Sequence, residues 1–413
     1  TWWHWMDGNI TKEGLTKDLE AMKAAGISQA TILNIGLFKG RDFGNERILF
    51  DTSEWYEHFV YALKEANRLG IKIGIHNCDG WTTSGGPWIK PEHAMKQFVW
   101  NKTNVKGGQK LQINLPEPFQ VNDYYKDVKV LAIKTSTESS AYIKSAPKIL
   151  LNDTAEVVYL NDGCPVSIET LKVGDELTIH CSEKIKVEKV AIYPIKPFMF
   201  KNPGLLPVDL SFFSSPDGNN WTKVSDLKIH NVNETFQAHI PKTSATFFKL
   251  RFDNFAVKTG WRQYEIGELE LLKQSEQPLY SPVVPNLQSK SGAVMTLNPD
   301  ILNIRAKAKS NLTTNDIIDL TDKLDEKGQL SWDAPEGNYT IIRFGYTLTG
   351  AKNGPATAEG EGLEVDKMDT ASLNHHYKSF AKKLVTHAGE YTGNTFKFFL
   401  FDSWECKQQN WTE

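Results

Sequence analysis

The first hundred residues alternate between two hydrophobic periods, and this alternation limits the fold more than any other feature of the chain. Trp2 to Trp5 reads as a short aromatic strand. Thr11 then reads as the cap of a helix running to Ala25, with Leu15, Leu19 and Met22 inward and Gly26 as its stop. Gln29 to Ile35 is a near-continuous apolar run, as expected of a strand covered on both faces. Ser53 begins a second helix with Trp55, Phe59, Leu63 and Ala66 on one side and its end at Leu69-Gly70. Ile71 to His76 completes a β-α-β-α-β series. Such a series implies a parallel sheet with its richest loops at the C-terminal ends of the strands.

The loop after His76 reads Asn77-Cys78-Asp79-Gly80-Trp81-Thr82-Thr83-Ser84-Gly85-Gly86-Pro87-Trp88. Two Trp, three Gly and several polar groups make a poor core and a good sugar subsite. An indole covers the apolar face of a pyranose while Asp, Asn and His take its hydroxyls. The other reading is a Gly-rich turn whose Trp residues plug the rim of the sheet. A second loop of this kind closes the chain: the apolar run Phe396-Lys397-Phe398-Phe399-Leu400-Phe401 breaks into Asp402-Ser403-Trp404-Glu405. Strands of parallel α/β barrels present catalytic acids to sugars in this way, although an apolar strand also ends in a capping Asp for structural reasons alone.

The bulk numbers exclude more than they assign. Forty-seven basic and 50 acidic side chains leave a net charge of -3, with no footprint for nucleic acid or an anionic membrane. No stretch is apolar for long enough to span a bilayer. Twelve Trp, 21 Phe and 13 Tyr suit both β-sandwich cores and carbohydrate platforms. The four Cys show no zinc or CxxC spacing, and a pairing of Cys164 with Cys181 is open.

At 413 residues two or three domains are expected. Residues 1–104 read as the first part of a (β/α) barrel, and 105–161 as a β-rich insertion. Residues 162–288 read as a β-sandwich, in which Leu210 to Trp221 and Phe247 to Phe252 resemble a discoidin-type, galactose-binding-like jelly roll. Residues 289–350 are a β-rich segment returning to the barrel, and 351–413 continue the barrel and leave it truncated. Within that last part a helix is expected from about Thr370 to His387, with Leu373, Tyr377, Phe380, Ala381 and Leu384 inward. The fold class is therefore α/β: an incomplete TIM-like barrel interrupted by β-sandwich modules. Both chain ends read as cut.

Four motifs carry a more specific expectation. They are Trp2-Trp3-His4-Trp5-Met6-Asp7-Gly8-Asn9, the Cys78-Asp79-Gly80-Trp81 loop with Ser84 to Trp88, Gly362-Leu363-Glu364-Val365-Asp366-Lys367, and Asp402-Ser403-Trp404-Glu405. With these in this order the chain resembles glycoside hydrolase family 106, the bacterial α-L-rhamnosidases. The resemblance implies a barrel hydrolase that inverts the anomeric centre and binds calcium at the rhamnose site. It makes Glu405 the general acid and places the general base beyond residue 413. Lys407 stands where a small residue is expected, which puts the shape of that loop in question.

Inversion needs one carboxylic acid on the leaving oxygen and a second carboxylate to activate water. An indole such as Trp404 and a second carboxylate at Asp402 would raise the pKa of Glu405 towards neutrality. The candidate sugar-binding residues are Asp402, Trp404, Asp79, Trp81, His76, His4, Trp5, Glu364 and Asp366. His4 and His76 read equally as buried, satisfied imidazoles. Of His375 and His376, one is expected inside and one in solvent, and Lys367 beside Asp366 reads as a surface or interdomain ion pair. No contiguous calcium loop exists, so any ligands come from separate loops and the residues do not assign them. The partner is a rhamnose-containing glycan, and the location expected from that substrate is exported, periplasmic or extracellular. Two other readings stay open: a retaining β-galactosidase-like glycosidase, and a non-catalytic carbohydrate-binding protein.

Overall fold

The computed structural model describes residues 1–38, 46–82, 84–135, 140–162, 169–194, 208–229, 236–255, 263–276, 316–402, 406 and 411–412. It divides into two units, residues 1–97, 121–124 and 348–413 forming one, and residues 98–120 and 125–347 the other. Most of the described elements are strands. No helix among the described residues is long and apolar enough to cross a membrane.

The first unit holds a four-stranded parallel sheet. Its strands are β1 (Trp2–Met6), β2 (Gln29–Ile35), β3 (Lys72–His76) and β4 (Phe396–Leu400), side by side in that order. Helices α1 (Lys12–Ala24) and α2 (Ser53–Leu69) cross between the first three strands. Both start on threonine caps: Thr11 Oγ1 accepts from Gly14 N at 3.0 Å and Thr52 Oγ1 accepts from Trp55 N at 3.3 Å. Helix α2 ends on Gly70, whose left-handed φ of 72° a side chain would oppose. Leu15, Leu19, Trp55, Phe59, Leu63 and Ala66 pack with Ile32, Ile73 and Ile75 in one core on the helix side of the sheet. The described residues close no barrel, so the expected (β/α) barrel is seen only as a four-stranded parallel sheet.

Two expectations about this unit are overturned. Trp5 is not a sugar platform. Side chains alternate along β1, so Trp3 and Trp5 face the helices and His4 faces the other way. Trp5 is 1% exposed and meets the rings of Trp3 at 5.5 Å and Trp55 at 5.7 Å between centroids. The expected helix over 370–387 is two helices, α3 (Thr370–Ser379) and α4 (Ala381–Ala388), broken at Phe380 with φ −129° and ψ −69°. Phe380, Ala381 and Leu384 are inward as expected, but Leu373 and Tyr377 are 39% and 49% exposed. Ser372 and His376 take the inner face of α3 instead. The Trp88 indole sets that phase, stacking on Phe380 at 5.5 Å and donating to His376 Nδ1 at 3.0 Å.

The second unit is built of antiparallel sheets. Its largest holds eight strands, centred on the long pair Glu176–Pro194 and Phe236–Phe255. The register of this pair breaks between His180 and Ile185. Before the break the pair is flanked by Lys148–Leu151 and Val208–Ser215, and after it by Gln263–Leu272. Leu177, Ile179, Phe248 and Leu250 from one half share a single core with Val190, Ile192, Leu269 and Leu271 from the other. One sheet is thus folded onto itself as a sandwich, as the alternating pattern predicts. Cys181 is a free, buried thiol, and Cys164 lies outside the described residues. A second, smaller core gathers Val130, Ala132, Leu330, Trp332 and Ile341. Beside it Arg343 is pinned by Asp127 at 2.8 and 2.7 Å.

Strands β3 and β4 meet where Gly74 leaves room for the Phe398 ring, into which any Cβ at residue 74 would run. Gly74→Ala is therefore expected to cost about 1–3 kcal/mol in chemical denaturation. Phe398→Ala should relieve that cost, so that the double variant is more stable than the sum of the singles predicts. Additive losses would contradict the packing described.

Candidate active site

The C-terminal tips of the four strands and the segment 349–367 form the candidate site within the first unit. At the tip of β1, Asp7 and Gly8 turn the chain with φ of 52° and 72°. Asp7 Oδ2 accepts from the Leu37 and Phe38 amides beyond β2 at 3.2 and 2.9 Å, while its buried Oδ1 has no hydrogen-bond partner among the described residues. Arg47 Nε donates to the Asp7 carbonyl at 2.6 Å. The sequence holds a signal for Asp7, an Asp-Gly pair directly after a strand, but on its own it reads as a turn. His4, on the sheet face away from the helices, is exposed with its ring edge-on to Trp2.

The loop after β3 is organised by a buried carboxylate. Asp79 is fully buried; its Oδ1 accepts from Asn34 Nδ2 at 2.9 Å, and its Oδ2 accepts from Thr357 N at 3.0 Å and from the Thr357 hydroxyl. Gly360 packs so closely that a Cβ there would strike the same carboxylate. Burial pushes the Asp79 pKa up to about 6, against the hydrogen bonds from Thr357 and Asn34. Both oxygens are engaged by the chain itself, so Asp79 is a lock between segments and not the hydroxyl ligand expected from sequence. Trp81 remains half-buried, its amide held by Gly354 O at 3.2 Å. The Cys78 thiol donates to Thr82 O at 3.1 Å, and burial pushes its pKa up, which makes it no nucleophile.

His76 ends β3 beside Leu400 of β4. Its Nδ1 lies 3.3 Å from the Cys78 carbonyl, and its buried Nε2 has no hydrogen-bond partner among the described residues. Burial pushes its pKa down, against the Cys78 carbonyl and the charge of Asp402. Asp402, partly exposed just past the tip of β4, is thus within electrostatic reach of His76. Trp404 and Glu405 lie outside the described residues.

Glu364, Val365 and Asp366 of the motif Gly362 to Lys367 are buried, and its ion pairing differs from the expected one. Lys367 pairs with Glu364 at 2.7 Å, not with Asp366, and is only 11% exposed. Glu364 Oε2 also accepts from Ser84 N at 3.2 Å, and Oε1 is buried without a partner among the described residues. Asp366 Oδ2 meets Lys96 Nζ at 3.4 Å and accepts from Thr412 Oγ1 at 2.9 Å, and its Oδ1 accepts from Met368 N at 3.0 Å. Asp366 and Glu364 are therefore occupied by the protein's own groups, in place of the sugar contacts expected from sequence. A similar internal role falls to His376, whose Nε2 is 3.0 Å from Asn77 O. His375 is half-buried with Nε2 2.9 Å from Trp88 O, so neither histidine is free in solvent.

Calcium takes six to eight oxygens. Among the described residues no three His, Cys, Asp or Glu side chains converge on a metal position, and Asp79, Glu364 and Asp366 are committed elsewhere. These residues do not fit the calcium site that the resemblance implies.

The four sequence motifs fall within a match to the whole chain: the model of glycoside hydrolase family 106, alpha-L-rhamnosidase, covers residues 1–413. The chain belongs to this family. A rhamnosidase from Novosphingobium sp. PP1Y has a similar structure, with 27% identity and a TM-score of 0.62, over 100% of this chain and 39% of that one. A putative beta-glucuronidase from Formosa agariphila is 26% identical over 412 residues, 100% of this chain and 23% of the relative. The chain thus spans less than half the length of either of these relatives.

His376 gives this site a measurable pH signature. Burial holds its pKa down at about 4 against an ordinary 6.5, so the unfolded chain takes up the proton first. Its contribution to stability is complete above pH 6.5, drains as the pH falls, and is exhausted below about 4. Asp79 runs the other way: with its pKa raised from 3.8 to about 6, its contribution is complete below 3.8 and is lost as the pH rises through 6. In urea denaturation from pH 7 to 4, wild type should lose about 3 kcal/mol relative to His376→Gln. Parallel pH profiles would show that His376 is not buried as the neutral base.

Proposed function

We propose that the protein hydrolyses terminal α-L-rhamnosides of a polysaccharide or glycoconjugate with inversion, using Glu405 as general acid. The observation that carries this reading is the tip of β4. A partly buried parallel strand delivers Asp402 to the neighbourhood of His76, whose pKa burial pushes down, in a chain matched along its whole length by the rhamnosidase family. Glu405, three residues further along the sequence, is in this reading the proton donor to the leaving oxygen. Asp402 holds a sugar hydroxyl or polarises that acid, and Trp81 and Trp404 offer ring faces to the pyranose. The second carboxylate would stand about 6.5–9.5 Å from the first, leaving room for the attacking water. In this reading the parallel sheet is part of a (β/α) barrel, the folded-over sheet is a galactose-binding-like module, and the protein is exported to reach its glycan.

The Formosa relative supports a second substrate, a β-glucuronide, on the same acid. Both are tested with the full-length protein on p-nitrophenyl α-L-rhamnoside and p-nitrophenyl β-D-glucuronide. Glu405→Gln should lower kcat by about 10²- to 10⁴-fold on the true substrate. Proton NMR should show the inverted anomer forming first. An unchanged rate in Glu405→Gln would remove the acid assignment, and a retained anomer would remove the inverting mechanism.

A further inference from the structure

Away from the strand tips, the helix layer of the first unit carries an open cleft of about 510 Å³. Helix α2 supplies most of its lining from the side turned away from the sheet, where Ser53, Glu57, Val60 and Lys64 recur at helical spacing. Trp55, Phe59 and Leu63, on the opposite side of the same helix, are buried in the core. Lys12 of α1 joins the lining from one neighbouring helix, and His387 of α4 with Tyr391 joins it from the other.

Both flanks of the cleft are held by the protein's own bonds. Tyr56 lies against the His387 ring at 4.0 Å between centroids and 12° between planes, and it donates its hydroxyl to Asp51 Oδ1 at 2.6 Å. Lys383 of α4 pairs with the same carboxylate at 2.9 Å, which ties α2 to α4 beside the cleft. On the α1 flank, Thr16 Oγ1 gives its proton to the Lys12 carbonyl at 3.1 Å, so the Tyr61 hydroxyl donates to Thr16 Oγ1 at 2.8 Å. The Lys12 ammonium stands 6.0 Å from the centre of the Tyr61 ring. Walls fixed in advance lower the ordering cost of binding.

The charges around this cleft are unbalanced. Lys17, Arg68 and Lys383 on the same three helices each hold a carboxylate. Lys12 and Lys64 are exposed and hold none among the described residues. Against these two ammonium groups the lining sets one carboxylate, Glu57. Tyr61 and Tyr391 are half-buried and leave ring surface open. The volume lies within the range of about 300–1,000 Å³ usual for small-molecule sites. Two uncompensated cations select an anion, a tyrosine ring selects an apolar face, and Ser53 and Glu57 suit hydroxyls. An acidic sugar brings a carboxylate, a C–H face and hydroxyls together. A bare phosphate has no such face, and a neutral sugar leaves both ammonium groups without a counter-charge.

We propose that this cleft is a second carbohydrate site, which takes a uronic-acid residue of an acidic glycan with its carboxylate drawn to Lys12 and Lys64. None of its lining residues belongs to the strand tips, so the site stands whichever glycoside is hydrolysed there. On a polymer that carries both sugars, a second hold makes the encounter with the strand tips intramolecular and raises the local concentration of cleavable ends.

The test is calorimetric titration of the full-length protein at low salt with tri-galacturonate, maltotriose and inorganic phosphate. Tri-galacturonate should bind wild type, with maltotriose about tenfold weaker. Lys12→Ala/Lys64→Ala and Tyr61→Ala should each weaken tri-galacturonate by about tenfold while hydrolysis of a p-nitrophenyl glycoside stays within about twofold of wild type. No binding to wild type, or unchanged binding by the double variant, would show that the cleft is not a site. Equal affinity for maltotriose would remove the acidic ligand. Phosphate binding as tightly as the trisaccharide, with Tyr61→Ala without effect, would leave an anion contact in place of a sugar site. A loss of hydrolysis in step with the loss of binding would place the trisaccharide at the strand tips instead.

Discussion

The candidate site depends on one buried carboxylate. Asp79 binds Asn34 on β2 through one oxygen and Thr357 through the other, so it joins the second strand, the third and the return segment at a single point. A buried acid is expensive unless every lone pair is used, and here the neighbours supply amide, hydroxyl and side-chain donors together. The shift of its pKa to about 6 records what desolvation still costs after those bonds are made. Around this lock the Asn353 side chain donates to the carbonyls of Asp79 at 2.7 Å and Gly360 at 2.9 Å. Loops without regular structure are thereby given a definite shape.

That arrangement divides the polar residues at the strand tips into two populations. Asp79, Glu364, Asp366, Lys96 and His376 work on the chain, each with protein partners and little or no exposure. Asp402 and Trp81 keep exposed surface. His76 stands between the two groups, fixed through Nδ1 by the Cys78 carbonyl yet with an Nε2 that no described residue uses. A sugar-processing site needs both populations, because open groups keep useful geometry only when closed ones hold the backbone beneath them.

The sequence discloses the elements and not the partners. The first three strands and two helices are legible because their periods are strong and their ends carry Thr11, Thr52 and Gly70. The buried face of Trp5 is not legible, because a Trp at the end of a strand reads alike on either face, and only the packing of Trp3 and Trp55 reveals which face is covered. The phase of α3 is not legible either, because Phe380 breaks the helix and no Pro or Gly marks the break. Asp79 and Asp366 look like sugar ligands in one dimension, since their partners lie 45, 278 and 270 residues away at Asn34, Thr357 and Lys96. A polar residue at a strand tip has the same local signature whether it meets a hydroxyl or the chain's own amide.

The sequential order of the parallel sheet has a kinetic consequence. Among the described strands β1 and β4 are outermost, and each lies 1–4 in space as it does along the chain, although more than three hundred residues separate β3 from β4. Until β4 arrives, β3 presents a bare row of amides to any passing chain. A nascent molecule must fold its intervening antiparallel unit quickly enough to bring the late strand home before a neighbour takes the vacancy. The open edge of β3 is therefore the place where an incompletely folded chain is most exposed to mispairing.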